Sequence, residues 1–321
     1  MIFLDDNADF LSPTMTAEVF SGAADTRLAL CSAKEKFADH KNTCGCWEIS
    51  ESTKNGSFFS VARSRPVGQN GPYLYAIKRL REQWQHSQIG LAILQREAEL
   101  GRLISHPHLV PVLDGNLSDG EPFLVQPWLT GNDLHFIASF GRTAQISETI
   151  WIGRQITEAL CELERHGFCH CDLKPGNIMV SPTGHATLID LGLARRTDEA
   201  SLPIDHSMGG TPKYMAPELF RGSKTADIRA DLFSLGLVML EMLFGKDAPF
   251  SGDPNNRISA NLWRANWQRL EYTQSVNRKS PLYLAEFESL LRSMVETNPE
   301  NRPVSADQLK RQMLQLELAL L

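Results

Sequence analysis

The stretch His170-Cys171-Asp172-Leu173-Lys174-Pro175-Gly176-Asn177, followed eighteen residues after its aspartate by Asp190-Leu191-Gly192, narrows what this chain can be more than any other feature. Asp172 can accept a hydroxyl proton. Lys174 can neutralise a moving phosphoryl group, Asn177 can hold a metal, and Asp190 supplies a second oxygen ligand. These are the groups that phosphoryl transfer needs. A lone aspartate is usually a helix cap or a surface charge, but four such residues at offsets 0, +2, +5 and +18 are a joint signal.

Other ordered motifs surround this loop. Tyr75-Ala76-Ile77-Lys78 precedes a helical pattern bearing Glu97, which stands nine residues before His106-Pro107; Ala216-Pro217-Glu218, Asp231, Gly236 and Arg302 follow. On these residues the chain resembles the eukaryotic-type protein kinase family over roughly residues 47–318. Lys174, and Thr211 before Pro212, resemble its serine/threonine branch. The resemblance implies an α+β, two-lobed kinase-like fold, with a small antiparallel β lobe plus one helix and a larger, mainly helical lobe. It divides the chain into an N-terminal extension of unknown role (1–45), the small lobe (46–128) and the large lobe (129–321).

The resemblance also implies roles. Lys78 would hold the α- and β-phosphates of ATP, oriented by Glu97 through a charge-assisted hydrogen bond. Glu99 is the alternative partner; it lies about 200° round a helix from Glu97, so only one can face the site. Asp172 would be the base and Lys174 its cationic neighbour, while Asn177 and Asp190 would ligate magnesium, or manganese in its place. In the glycine-rich loop only Gly56 survives, because Lys54 and Phe59 occupy the flanking glycine positions. Phe59 would force the ribbon outward, or else pack beneath the sheet. Val61 and Ala76 would clasp adenine from above and Met179 from below, Gln126 fits the gatekeeper position, Leu129 keeps the hinge donor, and Asp133 could reach the ribose.

Three departures bear on regulation. Cys171 replaces the arginine that pairs with a phosphorylated activation segment, so Thr197, Ser201 and Ser207 are expected to matter little as phosphorylation sites. Leu191 replaces phenylalanine after Asp190. Gly101, one turn beyond Glu97, is expected to leave little to pack and to let the helix swing.

Composition bounds the alternatives. The net charge of −6 argues against a nucleic-acid binder, and no run of about eighteen apolar residues marks a membrane span. The start lacks the basic and apolar regions of a signal peptide, which reads as a cytoplasmic chain. Six cysteines, at 31, 44, 46, 161, 169 and 171, are too unevenly placed for a disulfide framework and read as thiols. His166, Cys169, His170 and Cys171 suggest zinc, but lack four well-spaced ligands. Cys44-Gly45-Cys46 reads as a strand entry.

Periodicity predicts a short helix near Thr26 to Phe37 and three antiparallel strands over 47–80, with turns at Lys54-Asn55-Gly56 and Gly68 to Pro72. A helix over Ile89 to Ile104 follows, then strands at Leu109 to Val112 and Phe123 to Val125. Ser147 to His166 reads as a helix capped by Ser147, Ile228 to Phe244 as a buried helix, and the segment from Ser305 as a capped helix. Trp263 and Trp267, four apart, read as core rather than a docking surface.

The whole reads as a kinase moving the γ-phosphoryl group of Mg-ATP to a serine or threonine of a protein substrate. A pseudokinase acting as a binding or scaffolding module is the alternative, motivated by the glycine-poor loop and Gly101. A small-molecule phosphotransferase shares the Asp172–Asn177 spacing but normally lacks the Gly210-Thr211 to Glu218 segment. The sequence leaves the oligomeric state open.

Overall fold

A computed structural model of the protein describes residues 42–118, 121–198, 212–223, 225–250, 258–276 and 281–320. The expected helix near Thr26 to Phe37 lies outside them, as do Ser201, Ser207 and Thr211. The chain divides into two units. The first takes the described residues up to Leu103 with Pro111–Leu129; the second takes Ile104–Val110 and the residues from Thr130 onward.

The first unit is a six-stranded antiparallel sheet with one α-helix. Its strands are β1 (Thr43–Cys44), β2 (Trp47–Asn55), β3 (Phe59–Pro66), β4 (Tyr75–Leu80), β5 (Asp114–Asn116) and β6 (Phe123–Pro127), in the spatial order β1-β2-β3-β4-β6-β5. β1 lies within residues 1–45, so the sheet starts ahead of the boundary expected at 46. Burial alternates along β3, as a strand with one face more deeply covered than the other requires. One face gathers Trp47, Ile49, Ala62, Ile77, Phe123 and Val125; the other packs Leu80 and Leu124 against Leu94 and Ala98 of helix α1 (Gln88–Leu103).

Leu109 to Val112 is not a strand. Its residues are apolar and buried, but Val110 N–H donates to the Leu188 carbonyl in the second unit, whereas Val112 N–H donates to Gly101. The ladder partner of β6 is instead Asp114–Asn116. An apolar run shows burial, not whether a neighbouring backbone lies alongside it.

Gly101 also departs from expectation. A Cβ there would lie 2.4 Å from Val112 Cγ2 and 2.9 Å from Val112 N, and the Gly101 carbonyl accepts from Val112 N–H at 2.9 Å. The glycine lets residues 111–113 close onto α1, which ties the helix down rather than loosening it.

The second unit is mainly helical. It contains β7 (Asn132–Asp133), α2 (Leu134–Ser139), α3 (Ile146–Arg165), β8 (Phe168–Cys169), β9 (Ile178–Val180), β10 (Ala186–Leu188), β11 (Arg195–Arg196), α4 (Pro217–Phe220), α5 (Ile228–Phe244), α6 (Ala260–Val276), α7 (Pro281–Met294) and α8 (Ala306–Leu318). α5 is buried nearly all round, and α3 buries the stripe Ile152, Ile156, Ala159, Leu160 and Leu163. Gly236 admits Met294 and Val295 to the surface of α5, where a Cβ would meet Val295 Cγ1 at 2.8 Å. Trp263 and Trp267 are both buried and pack on each other, and Trp267 also packs with Phe244 and Phe287.

The N-cap of α3 is Gln145, not Ser147. Glu148 Oε2 accepts from Gln145 N–H at 3.0 Å, so the glutamate three residues on sets the start of the helix. Ser305 caps α8 by accepting from Gln308 N–H. No described helix is long and apolar enough to cross a membrane.

Candidate active site

In the first unit the sheet register assembles the candidate residues. Phe59 pairs with Leu80, Val61 with Lys78, Lys78 with Leu124, and Ala76 with Gln126. Directly opposed residues share a sheet face, as do residues two apart along a strand. Phe59, Val61, Ala76, Lys78 and Gln126 therefore belong to one face, the one that meets α1.

On that face Lys78 Nζ donates to Glu97 Oε2 at 2.6 Å. Gln126 Nε2 donates to the other carboxylate oxygen, Oε1, at 2.9 Å. Glu97 is 1 % exposed and Lys78 6 %. A carboxylate so deeply buried persists only with charged and hydrogen-bonding partners, and here both oxygens have them. Glu99 is half exposed and pairs with Arg96 at 3.3 Å, so it is Glu97 that meets Lys78.

The glycine-poor turn is tied to the sheet. Gly56 N–H donates to the Phe59 carbonyl, Arg81 N–H to the Phe58 carbonyl, and the Arg81 guanidinium to the Gly56 carbonyl at 3.1 Å. Phe59 is half-buried against the cluster that contains Leu80, Leu94, Ala98, Val112 and Leu124, and Lys78 Nζ lies 4.7 Å from its ring centroid. That aromatic face is a favourable place for an ammonium. Leu129 is half-buried, and Trp128 N–H donates to Leu74.

In the second unit the loop after β8 is folded around a buried carboxylate. Asp231, 1 % exposed on α5, accepts from His170 N–H through Oδ2 at 2.6 Å and from Cys171 N–H through Oδ1 at 2.8 Å. Burial pushes its carboxyl above the ordinary range, while nearby His170 and the two backbone donors oppose that shift. His170 is spent inside the loop: Nδ1 accepts from Asp172 N–H, and Nε2 faces the Ile189 carbonyl.

Asp172 Oδ2 accepts from Lys174 Nζ at 2.6 Å and from Asn177 Nδ2 at 3.0 Å, and Asn177 Nδ2 also donates to the Asp172 carbonyl. These bonds anchor the Oδ2 oxygen of Asp172 and turn the Asn177 amide nitrogen inward. β9 and β10 pair antiparallel with Ile178 opposite Leu188, so Asn177 and Asp190 leave the same end of one hairpin. Ile189 N–H donates to the Asn177 carbonyl and closes that end. Met179 on β9 pairs with Asp133 on β7. Asp133 Oδ1 caps α2 by accepting from Phe136 N–H.

Cys171 (φ 64°) and Asp190 (φ 65°) are the non-glycine residues with positive φ among the described residues. Such conformations cost about 1 kcal/mol or more and concentrate at functional sites. Farther off, Arg302 grips Glu218 with two parallel bonds of 2.7 and 2.8 Å.

The chain matches the family described as protein kinase domain over residues 51–314. It is a eukaryotic-type serine/threonine protein kinase family member. Among curated relatives it is 31% identical over 268 residues to the serine/threonine-protein kinase pkn3 of Myxococcus xanthus, covering 80% of this chain and 47% of that one. It is 33% identical over 183 residues to the probable serine/threonine-protein kinase PknB of Lactococcus lactis, 57% of this chain and 29% of that one. A probable serine/threonine-protein kinase of Clostridium perfringens, CPE1738, is 28% identical over 253 residues, 79% of this chain and 35% of that one. The chain thus spans less than half the length of each of these relatives.

Within this kinase fold the sheet brings Val61, Ala76, Lys78 and Gln126 to one face and joins Glu97 to two of them. The second unit joins Asp172, Lys174 and Asn177, with Asp190 at the same hairpin end. Gly56 is in an exposed turn, and Leu129 ends the first unit. Sequence reasoning missed the bond from Gln126 to Glu97, because the face of β6 depends on its register with β4. It also missed the double use of Asn177 within the Asp172 loop.

Proposed function

We propose that this kinase domain transfers the γ-phosphoryl group of Mg-ATP to a serine or threonine hydroxyl of a protein. The observation that carries this reading is the buried Lys78–Glu97 pair at 2.6 Å. A scaffolding domain has no need to maintain a desolvated charge pair, and the pair stands although the glycine-rich loop is degenerate.

The donor set fits the expected cofactors. Asn177 and Asp190 offer oxygen ligands of the kind a hard divalent cation takes, and Lys78 offers a fixed cation for phosphates. Bound Mg-ATP would supply the phosphoryl group and neutralise part of its charge. Asp172 would orient the substrate hydroxyl and accept its proton, its Oδ2 oxygen anchored by Lys174 and Asn177. Lys174 would stabilise charge on the transferring group. Val61, Ala76 and Met179 would contact the adenine, Leu129 would donate to it, and Asp133 would serve the ribose once released from its cap. With Phe59 in place of a glycine, nucleotide binding would lean on Lys78, the metal and the hinge segment.

Titrating ATP with magnesium and following labelled phosphate in the same preparation tests this reading. Transfer to the protein itself or to a general basic substrate, abolished in Lys78→Met and Asp190→Asn, is the expected result. Nucleotide binding without transfer to any substrate favours the scaffold instead.

A further inference from the structure

Gln126 carries a buried amide, and such a group is tolerated only when hydrogen-bonded. A carboxylate can only accept, so the amide nitrogen must be the atom facing Glu97. The 2.9 Å bond to Oε1 leaves Oε2 to Lys78. Gln126 is on β6, which is paired on both sides, by β4 and by β5. It is therefore a stiff point from which to hold a helix side chain.

We propose that Gln126 is a positioning residue for phosphoryl transfer: its side-chain amide clamps the second oxygen of Glu97 and so keeps that glutamate on Lys78. This rests on the kinase reading of the Lys78–Glu97 pair. A glutamate terminal torsion is broad, so a carboxylate with one partner can rotate away from it. Two donors from two neighbouring strands, Lys78 on β4 and Gln126 on β6, define the carboxylate plane. The Gly101–Val112 contact fixes α1 one turn farther on. Together these hold the helix in its pairing position by contacts internal to the first unit. The gatekeeper side chain thus acts on the helix glutamate as well as bordering the adenine site.

The test is a double-mutant cycle on the full chain with Gln126→Met, Glu97→Gln and the pair. Methionine keeps the length and approximate volume of glutamine but has no donor. Gln126→Met should lower kcat by about tenfold or more while changing the KM for ATP less than about threefold. On the Glu97→Gln background the same change should cost less than about twofold, because Gln126 acts through Glu97. An undiminished loss on that background overturns the proposal, and so does a loss confined to the KM for ATP.

If the methionine variant does not fold, Gln126→Leu, which is uncharged and also lacks the donor, should show the same pattern. If the wild type transfers no phosphate, the kinase reading fails but the clamp is still measurable by hydrogen exchange. Amides of Leu94–Leu100 should then exchange about tenfold faster in Gln126→Met than in wild type, and equal exchange overturns the clamp.

Discussion

Phe59 occupies a position where the kinase pattern has glycine, and it packs against the apolar cluster shared by the sheet and α1, with Lys78 Nζ over its ring. Removing it exchanges apolar burial for loop freedom, so Phe59→Gly should lower stability by about 2–4 kcal/mol. Thermal melting beside ATP titration checks this: weaker ATP binding with an unchanged midpoint would contradict the packing role. Gly101 makes the opposite case. Any side chain there meets the Val112 backbone, so Gly101→Leu should cost about 1–3 kcal/mol, and a stabilised variant would refute that close approach. The thiols follow their surroundings. Burial pushes Cys44 and Cys161 up to about 11 and raises Cys169 further; half-buried Cys171 is raised by desolvation first and Asp231 second. At neutral pH these groups stay protonated, so iodoacetamide with peptide mapping should leave them largely unmodified in the folded protein. Rapid alkylation of Cys171 would contradict this.

At the scale of elements, two carboxylate contacts organise the large unit. Asp231 holds the backbone of His170 and Cys171 from α5, and Arg302 holds Glu218 before α8. Arg302 also donates to the carbonyls of Glu296 and Arg229, so Arg302→Leu strands several acceptors and should cost about 3–5 kcal/mol by denaturant titration. A loss below about 1 kcal/mol would show that the pair is exchangeable with solvent. How far elements were legible depended on whether their signal was local. β2 to β4 fill the span 47–80 expected to hold three antiparallel strands, and α1 and α5 fall within a residue of expectation, because each carries its signal locally. The start of α3 was misplaced because serine is the commoner cap, whereas here Gln145 and Glu148 share the task. Leu109–Val112 failed as a strand because pairing depends on residues distant in sequence. The clamp on Glu97 was illegible for the same reason: Gln126 meets it only through the register of β6 with β4.

For the whole molecule, ordered motifs from Lys78 to Arg302 fixed the family, and the two units each gather their share of those residues. The small unit holds Lys78, Glu97 and Gln126 together; the large unit holds Asp172, Lys174 and Asn177 together. We propose that these groups serve phosphoryl transfer despite a loop that retains only Gly56. Autophosphorylation of the purified chain with labelled ATP and magnesium, wild type beside Asp172→Asn, tests it most directly. Removing the proposed proton acceptor while preserving shape should reduce incorporation by about a hundredfold or more, within the range of general-base effects. Equal incorporation in the two proteins would contradict the account.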